Sequence, residues 1–271
     1  MLYSISHQTH FVFEEAPRAV IQRLHLMPAS KGNQRVLDWN IVIDGGSLEL
    51  ETLDFHGNCV HLCRQDPSAD SLTISTNGKV DVTDRDGIVG QHESAVPLAL
   101  FKKPTRLSMP GPRLRKLARE IELWETSSKA TEPALMHHLS AQIYDCISYR
   151  KDITDVTTTA EQALEVGAGV CQDHAHAFIS IARIIGFPAR YVSGYLMMET
   201  DRIQTASHAW AEVHLDGLGW VGFDVSNAIS PDQRYIKLAT GFDYADVIPI
   251  SGVRLGSGGE RMTTSITVEQ Q

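Results

Sequence analysis

Apolar and polar side chains alternate with a period of two over much of the first hundred residues. The alternation is clearest in residues 3–13 and returns in residues 36–43. A period of two is typical of β-strands with one buried and one exposed face. This part of the chain therefore predicts a small antiparallel β-sandwich or barrel.

Two turn sequences in this region predict hairpins. Residues 48–55 and 59–62 read as strands on either side of a short polar turn, as expected for paired strands joined by a loop. Residues 71–82 alternate around Asn77-Gly78, and Asn-Gly is favoured in two-residue hairpin turns because both residues accept a positive φ. We therefore expect the chain to reverse at Asn77-Gly78.

The pattern changes after residue 104, where prolines and a glycine cluster in residues 104–112 and break regular structure. Apolar residues then recur at helical spacing in three segments, residues 114–124, 136–147 and 171–185. A shorter helix is predicted to start near Thr158, which forms a capping box with Glu161, and to end at Gly167.

Strand-like patterns return from Ala189 onward, so helices lie between two strand-rich regions. This order predicts an α+β fold with two domains. Residues 1–104 are expected to form the β-rich N-terminal domain, and residues 105–271 a second domain in which helices pack on an antiparallel sheet.

Composition narrows the class of protein. With 271 residues, 42% of them hydrophobic, the chain is large enough to bury a core. A formal charge of −9 argues against a nucleic-acid binder and against docking on an anionic membrane. Residues 1–7 have no basic stretch leading into an apolar run, so no signal peptide is expected. Four scattered cysteines do not form a disulfide framework, and we predict a cytoplasmic protein with reduced thiols.

Candidate chemistry centres on Cys171, which follows a glycine-containing turn and opens a predicted amphipathic helix. Unpaired amides and partial positive charge at a helix N-terminus favour a thiolate, which is the nucleophilic form of cysteine. The Cys171 amide could also stabilise an oxyanion. The alternative is a buried structural cysteine, which is the commoner role of a single thiol.

A second segment favours the catalytic interpretation. Residues 208–215 and 219–224 read as two strands joined by a loop of three residues. If Leu215 faces Gly219, then His208 and Asp224 are diagonal neighbours on one face, roughly 7–8 Å apart and within reach of each other's side chains. A shift of one residue in register would place them on opposite faces.

These three residue types suit acyl-transfer chemistry. His208 would take the thiol proton and later protonate the leaving amine. Asp224 would accept a hydrogen bond from the other ring nitrogen and fix the tautomer. Cys171 would attack the carbonyl and form a thioester.

The motifs around these residues resemble those of the transglutaminase-like superfamily, which is papain-like in plan. The matching segments are residues 169–176, 186–195, 207–213 and 219–224. Their order and spacing fit the family's Cys, His and Asp blocks. The N-terminal half resembles the β-rich domain that precedes the catalytic domain in bacterial members, and the segment around residues 234–249 resembles the same group.

The resemblance implies a cysteine-dependent enzyme acting on amides, as a protease, amidase or transglutaminase, with a catalytic domain in residues 105–271. Two positions depart from the family pattern. Members often have Asp-Pro-Thr-Asn where this chain has residues 224–227, and an arginine is common at the position of Phe242. Neither departure touches Cys171, His208 or Asp224.

A metal site formed by Cys171, His174, His176 and His208 is the competing interpretation. A helix starting at Cys171 directs His174 toward the cysteine face but His176 elsewhere. No Cys-x-x-Cys pair supports a zinc cage. We expect no metal and no other cofactor, and we expect His174 and His176 to pack near the site or anchor adjoining loops.

Several neighbouring residues have simpler structural interpretations. Asp173 is expected to cap the helix, because acids are favoured in the first turn. Trp210 and Trp220 are expected to pack beside the site. Cys59 and Cys63 are expected to be core thiols.

Three functions remain open. The first is a cysteine peptidase or amidase, in which water resolves the thioester. The second is a transglutaminase, in which a lysine amine resolves it. The third is a binding protein that keeps the fold without turnover. The expected partner is a peptide or protein substrate, and the sequence carries no signal for an oligomeric state.

Overall fold

The computed structural model describes residues 1–67, 69–198 and 203–271. Before the first helix the chain forms strands β1 (Leu2–Phe13), β2 (Ala19–Met27), β3 (Gln34–Asp44), β4 (Gly46–Leu53), β5 (Cys59–Gln65), β6 (Ser71–Val82) and β7 (Ile88–Gly90). The helices are α1 (Pro112–Ser128), α2 (Glu132–Cys146), α3 (Ala160–Val166) and α4 (Cys171–Ile184). The remaining strands are β8 (Ser148–Tyr149), β9 (Ala168–Gly169), β10 (Ala189–Leu196), β11 (His208–Leu215), β12 (Gly219–Phe223), β13 (Tyr235–Gly241), β14 (Ile250–Leu255) and β15 (Glu260–Gln270).

The N-terminal strands build two antiparallel sheets, in the orders β15-β1-β6-β3 and β14-β2-β5-β4. Their inner faces share a core that includes Phe11, Leu24, Leu72 and Ile74. Alternate residues of β1 are buried, as the period of two predicts. The predicted sandwich is confirmed.

The second half is a mixed region in which helices cover an antiparallel sheet of order β13-β10-β11-β12-β7. Helix α4 lies against β11, and Phe178 packs with Ala209, Ala211 and Phe223 in the larger core. The predicted α+β fold is confirmed, as are the helices predicted from the apolar spacing in residues 114–124, 136–147 and 171–185, which are α1, α2 and α4.

The two halves are joined by both side chains and strands. Tyr3 and Ile5 of the sandwich share a small core with Tyr195 and Ile236 of the second sheet. Strands β14 and β15 pair with β2 and β1, so the end of the chain lies in the N-terminal sheets. Strand β7 in turn pairs with β12. Strands from after residue 104 therefore pair with N-terminal sheets, and a strand from before it pairs with the second sheet. The domain boundary at residue 104 stays a prediction.

The hairpin predicted at Asn77-Gly78 is wrong. Strand β6 runs straight through both residues and pairs with β1 and β3 along its length. A Cβ at Gly78 would collide with the Trp39 ring and the Asp38 carbonyl oxygen. Gly78 is therefore explained by a close approach between strands, not by a turn.

The hairpin predicted between residues 48 and 62 is confirmed, since β4 and β5 pair from Leu53 opposite Cys59. The predicted capping box of α3 is displaced by one residue. Thr159 is the N-cap, and its partner is Gln162, whose side-chain oxygen accepts from the Thr159 amide at 2.9 Å. Gly167 ends this helix in the left-handed conformation, as predicted.

Within residues 1–67, 69–198 and 203–271, no helix is both long enough and apolar enough to span a bilayer.

Candidate active site

The β11–β12 hairpin has the predicted register. Leu215 faces Gly219 and Ala211 faces Phe223 across a loop of three residues. His208 opens β11 and Asp224 follows the last residue of β12. The Nε2 atom of His208 lies 2.6 Å from Oδ2 of Asp224, so the hairpin brings this pair together as predicted.

Asp224 is buried and receives several hydrogen bonds. Tyr235 donates its hydroxyl to Oδ2 at 2.8 Å, and Asn227 donates its amide to the same oxygen at 2.7 Å. Ser226 donates its hydroxyl to Oδ1 at 2.7 Å. Burial alone would raise the pKa of Asp224, but the hydrogen bond and charge of His208, together with hydrogen bonds from Asn227 and Ser226, lower it to about 2. Asp224 is a carboxylate at neutral pH.

His208 is held next to both Asp224 and Cys171. Burial lowers the pKa of His208, but the charge and hydrogen bond of Cys171 and those of Asp224 outweigh burial and raise it to about 10. Because Nε2 is engaged by Asp224, Nδ1 is the ring nitrogen left for the Cys171 thiol. The arrangement favours an imidazolium between a carboxylate and a sulfur atom.

Cys171 is the first residue of α4 and is partly buried. The helix start is fixed by Asp173, whose Oδ2 accepts hydrogen bonds from the Val170 amide at 2.8 Å and the Thr154 hydroxyl at 2.6 Å. A Cβ at Gly169 would lie 2.5 Å from that oxygen, so glycine is needed there. The predicted capping role of Asp173 agrees with these contacts.

The neighbouring histidines are engaged by the main chain. Each ring nitrogen of His174 faces a carbonyl oxygen, that of Val170 at 2.9 Å and that of Ile147 at 2.8 Å. Nε2 of His176 accepts from the Tyr244 amide at 3.2 Å. His174 therefore anchors the segment before β8 to the start of α4, and His176 anchors the segment after β13.

Trp210 packs against the imidazole, with ring centroids 6.2 Å apart and planes 27° from parallel. The Tyr235 ring lies edge-on to Trp210 at 5.4 Å and 5.9 Å from the imidazole, so the three rings contact one another. Trp210 is buried beside the site, as predicted. Trp220 is also buried, but it packs with Val96 and Phe101 in a separate cluster. The aromatic contacts restrict the His208 ring to the orientation that serves Asp224.

Sequence reasoning missed three residues near the pair. Asn227 follows Asp224 by three positions and could have been found from that spacing. Tyr235 lies on β13, beyond β10 in the sheet order, and carries no local signal. Tyr149 faces Gly169 in the short β8–β9 pairing, and burial together with the nearby charges of Cys171 and Asp224 raises its pKa.

Two regions of the chain match known protein families. Residues 115–225 match the transglutaminase-like superfamily, and residues 3–81 match the bacterial transglutaminase-like N-terminal region. The chain thus carries a transglutaminase-like core preceded by the bacterial N-terminal region, as its motifs indicated.

Similar proteins include uncharacterized mycobacterial chains of nearly the same extent. A Mycobacterium tuberculosis protein is 28% identical over 290 residues, which cover 98% of this chain and 91% of that protein. A Mycobacterium leprae protein is 25% identical over 277 residues, 97% of each chain. A protein-glutamine gamma-glutamyltransferase of Pseudomonas aeruginosa is 26% identical over 149 residues, 52% of this chain and 22% of that protein.

A solved structure shares the whole fold. The crystal structure named "Putative Cysteine Protease from Cytophaga hutchinsonii" superposes with a TM-score of 0.77 at 20% identity, covering 99% of this chain and 90% of that one. The likeness extends over both the sandwich and the transglutaminase-like core.

Proposed function

We propose that this protein is a cysteine-dependent amide hydrolase in which Cys171 is the nucleophile, His208 the acid–base group and Asp224 its orienting carboxylate. The proposal rests on the 2.6 Å contact between His208 and the buried Asp224, made beside a cysteine at a helix start. A cysteine, a histidine and an acid in this relation perform acyl transfer on several unrelated folds.

The first half of the reaction forms the acyl-enzyme. The Cys171 proton passes to Nδ1 of His208, and the sulfur attacks the substrate carbonyl carbon. The resulting oxyanion lies at the start of α4, where helix-terminal amides point outward without partners inside the helix. His208 then returns its proton to the leaving nitrogen, the carbon–nitrogen bond breaks, and a thioester remains on Cys171.

The second half releases the product. Water loses a proton to His208 as its oxygen attacks the thioester carbon. The carbon–sulfur bond breaks, a carboxylic acid leaves, and Cys171 recovers its proton. Throughout, Asp224 holds the imidazole by Nε2 and stabilises its positive charge.

The substrate we propose is a glutamine side chain or peptide amide of a peptide or protein. The four cysteines are free thiols, which fits the reducing cytoplasm where we place the enzyme. A transglutaminase is the second candidate, favoured by the likeness to the P. aeruginosa protein-glutamine gamma-glutamyltransferase. In that reaction a primary amine, rather than water, attacks the thioester.

The test is a screen of glutamine-containing peptides with and without an added primary amine. Ammonia release with conversion of glutamine to glutamate supports the hydrolase, and amine incorporation supports the transglutaminase. Cys171→Ala should abolish either product. Cys146→Ala is the matched control, because it removes an exposed thiol at the end of α2.

Alkylation gives a second readout that needs no substrate. Iodoacetamide near pH 6 should label Cys171 first, and His208→Ala should remove that preference, because the imidazolium favours the neighbouring thiolate. If all four cysteines were labelled equally and no peptide were turned over, the enzyme proposal would be wrong. The protein would then be a binding protein that keeps the fold without turnover.

A further inference from the structure

The β4–β5 hairpin brings together three side chains with metal-binding chemistry, far along the chain from the candidate active site. Cys59 and His61 are two residues apart on β5, and Glu51 lies directly opposite His61 on β4. Residues two apart on a strand share a face, as do residues directly opposite in an antiparallel pair. The three side chains therefore converge by strand geometry alone.

One ligand atom from each of Glu51, Cys59 and His61 lies within 4.8 Å of the other two. Metal–ligand bonds of about 2.0–2.3 Å in a tetrahedron place ligand atoms roughly 3.3–3.8 Å apart, so the three groups would close by up to about 1 Å around an ion. Without the ion they contact one another directly: Sγ of Cys59 lies 3.7 Å from Oε1 of Glu51, and Nε2 of His61 lies 3.5 Å from Oε2 of Glu51.

A change of rotamer at Glu51 can supply this adjustment, because its contacts are with the other two proposed ligands. Its side chain is 69% exposed, whereas that of His61 is 8% exposed. Glu49, the other acid of β4, is engaged by Arg64 at 2.9 Å. The prediction that Cys59 is a core thiol does not hold, since Cys59 is partly exposed while Cys63 is buried.

We propose that Glu51, Cys59 and His61 bind a divalent transition-metal ion of the zinc type. Thiolate, imidazole and carboxylate together suit Zn²⁺ and its neighbours, and they do not suit Mg²⁺ or Ca²⁺. Binding releases the Cys59 proton to solvent, and a water completes the tetrahedron.

The ion would join an edge strand to its neighbour. Strand β4 ends the sheet of order β14-β2-β5-β4 and is exposed along its length. A ligand that binds the folded form and not the unfolded chain stabilises the fold by mass action. The site is a structural clamp on the sandwich and takes no part in the proposed amide chemistry.

Cobalt(II) is the probe, because a thiolate ligand gives a charge-transfer band and a tetrahedral site gives characteristic visible bands. The full-length chain with Cys171→Ala is used, so that the active-site thiol cannot contribute. We expect one Co²⁺ per chain, displaced by Zn²⁺, and a higher urea midpoint with Zn²⁺. Cys59→Ser should lose the band, while Cys146→Ser should keep it.

Glu51→Gln supplies a variant whose folding is not in question, because the residue is exposed. It should weaken Co²⁺ binding at least about tenfold, with an unchanged urea midpoint in the absence of metal. A thiolate band that survives Cys59→Ser, or Co²⁺ affinity that is unchanged by Glu51→Gln, overturns the proposal. Neither result bears on peptide turnover by the chain with Cys171 intact.

Discussion

The charge and orientation of the His208 imidazole depend on residues from four separate segments. Cys171 at the start of α4 and Asp224 just after β12 act on its charge. Trp210 on β11 and Tyr235 on β13 contact its ring. Each contact restricts either the proton or the ring orientation. In the proposed reaction, an imidazole held in this way would take and return the proton without first reorienting.

Replacement of Asp224 by asparagine should move the titration of His208. In the wild type burial lowers the pKa of His208, but the charge of Cys171 and then the hydrogen bond and charge of Asp224 raise it to about 10. Asp224→Asn removes the charge, so His208 should lose its proton at a lower pH. The measurement is a pH titration of the His208 ring resonances by NMR, assigned with His208→Gln.

The free energy of unfolding should depend on pH through the same two residues, His208 and Asp224. The pKa of His208 is raised above its ordinary 6.5, so its contribution is complete below pH 6.5 and is lost as the pH rises through about 10. The pKa of Asp224 is lowered from 3.8 to about 2, so its contribution is complete above pH 3.8 and is lost as the pH falls through about 2. Wild type and Asp224→Asn should differ most between pH 3.8 and 6.5 in urea unfolding. A His208 that titrates near 6.5 in the wild type would contradict both expectations.

Substitutions at Asp173 can separate its effect on helix stability from its effect on the reactivity of Cys171. Its Oδ2 accepts from Val170 and Thr154, so Asp173→Ala should lower the free energy of unfolding by about 0.5–2 kcal/mol. Cys171 alkylation should also slow, because the helix start is no longer fixed. Asp173→Asn keeps an acceptor oxygen and should retain most of both properties. If asparagine were as damaging as alanine to alkylation while preserving stability, Asp173 would have a chemical role instead.

Among the elements, those specified by local sequence were predicted and those specified by packing were not. The β11–β12 register followed from one loop and two alternating strands, which fixed the faces of His208 and Asp224. The same reasoning failed at Asn77-Gly78. Glycine is needed at position 78 because the backbone there lies close to Trp39 of β3, a neighbouring strand in the sheet that is far away in the sequence. Tyr235 was missed for the same reason, since its contact with Asp224 depends on sheet order.

The outer edge of β13 shows how the halves hold each other. Asn58 donates its side-chain amide to the Thr240 carbonyl at 2.9 Å and accepts from the Thr240 amide at 2.8 Å. Gln34 makes the same pair of bonds with Lys237, both at 2.8 Å. Two side chains of the sandwich thus satisfy edge groups that a further strand would otherwise pair.

Removal of one of these amides should be costly. Asn58→Ala leaves both main-chain groups of Thr240 unpaired, and we expect a loss of about 1–3 kcal/mol in the free energy of unfolding. Gln8→Ala is the matched control, because it removes an exposed amide from the same sandwich and should change stability by less than about 0.5 kcal/mol. Equal urea midpoints for the two variants would show that water replaces Asn58 at the edge.

At the scale of the whole molecule, the sequence indicated two regions but not that the end of the chain returns to the N-terminal sheets. The prediction assigned all of residues 105–271 to the second region, yet β14 and β15 extend the two N-terminal sheets. Pairing between residues at opposite ends of the chain leaves no local pattern. A division by composition alone therefore assigns these strands to the region they follow.

This topology predicts what happens when the chain is divided at residue 104. A fragment of residues 1–104 lacks β15, which contributes Ile266 and Val268 to the core around Tyr3. A fragment of residues 105–271 carries β14 and β15 without the strands they pair with. We expect neither fragment to unfold cooperatively in urea, because each exposes a sheet edge and part of a shared core.

An equimolar mixture of the two fragments should recover the missing pairs and regain cooperative unfolding. The informative control is a chimera in which a flexible linker joins residues 250–271 to residues 1–104. This chimera restores the edge strands β14 and β15 to the two sheets of the sandwich. Cooperative unfolding of this chimera, and not of residues 1–104, would assign the last two strands to the N-terminal folding unit. If residues 1–104 unfold cooperatively by themselves, residue 104 is a true domain boundary. Strands β14 and β15 would then pair with a sandwich that is stable without them.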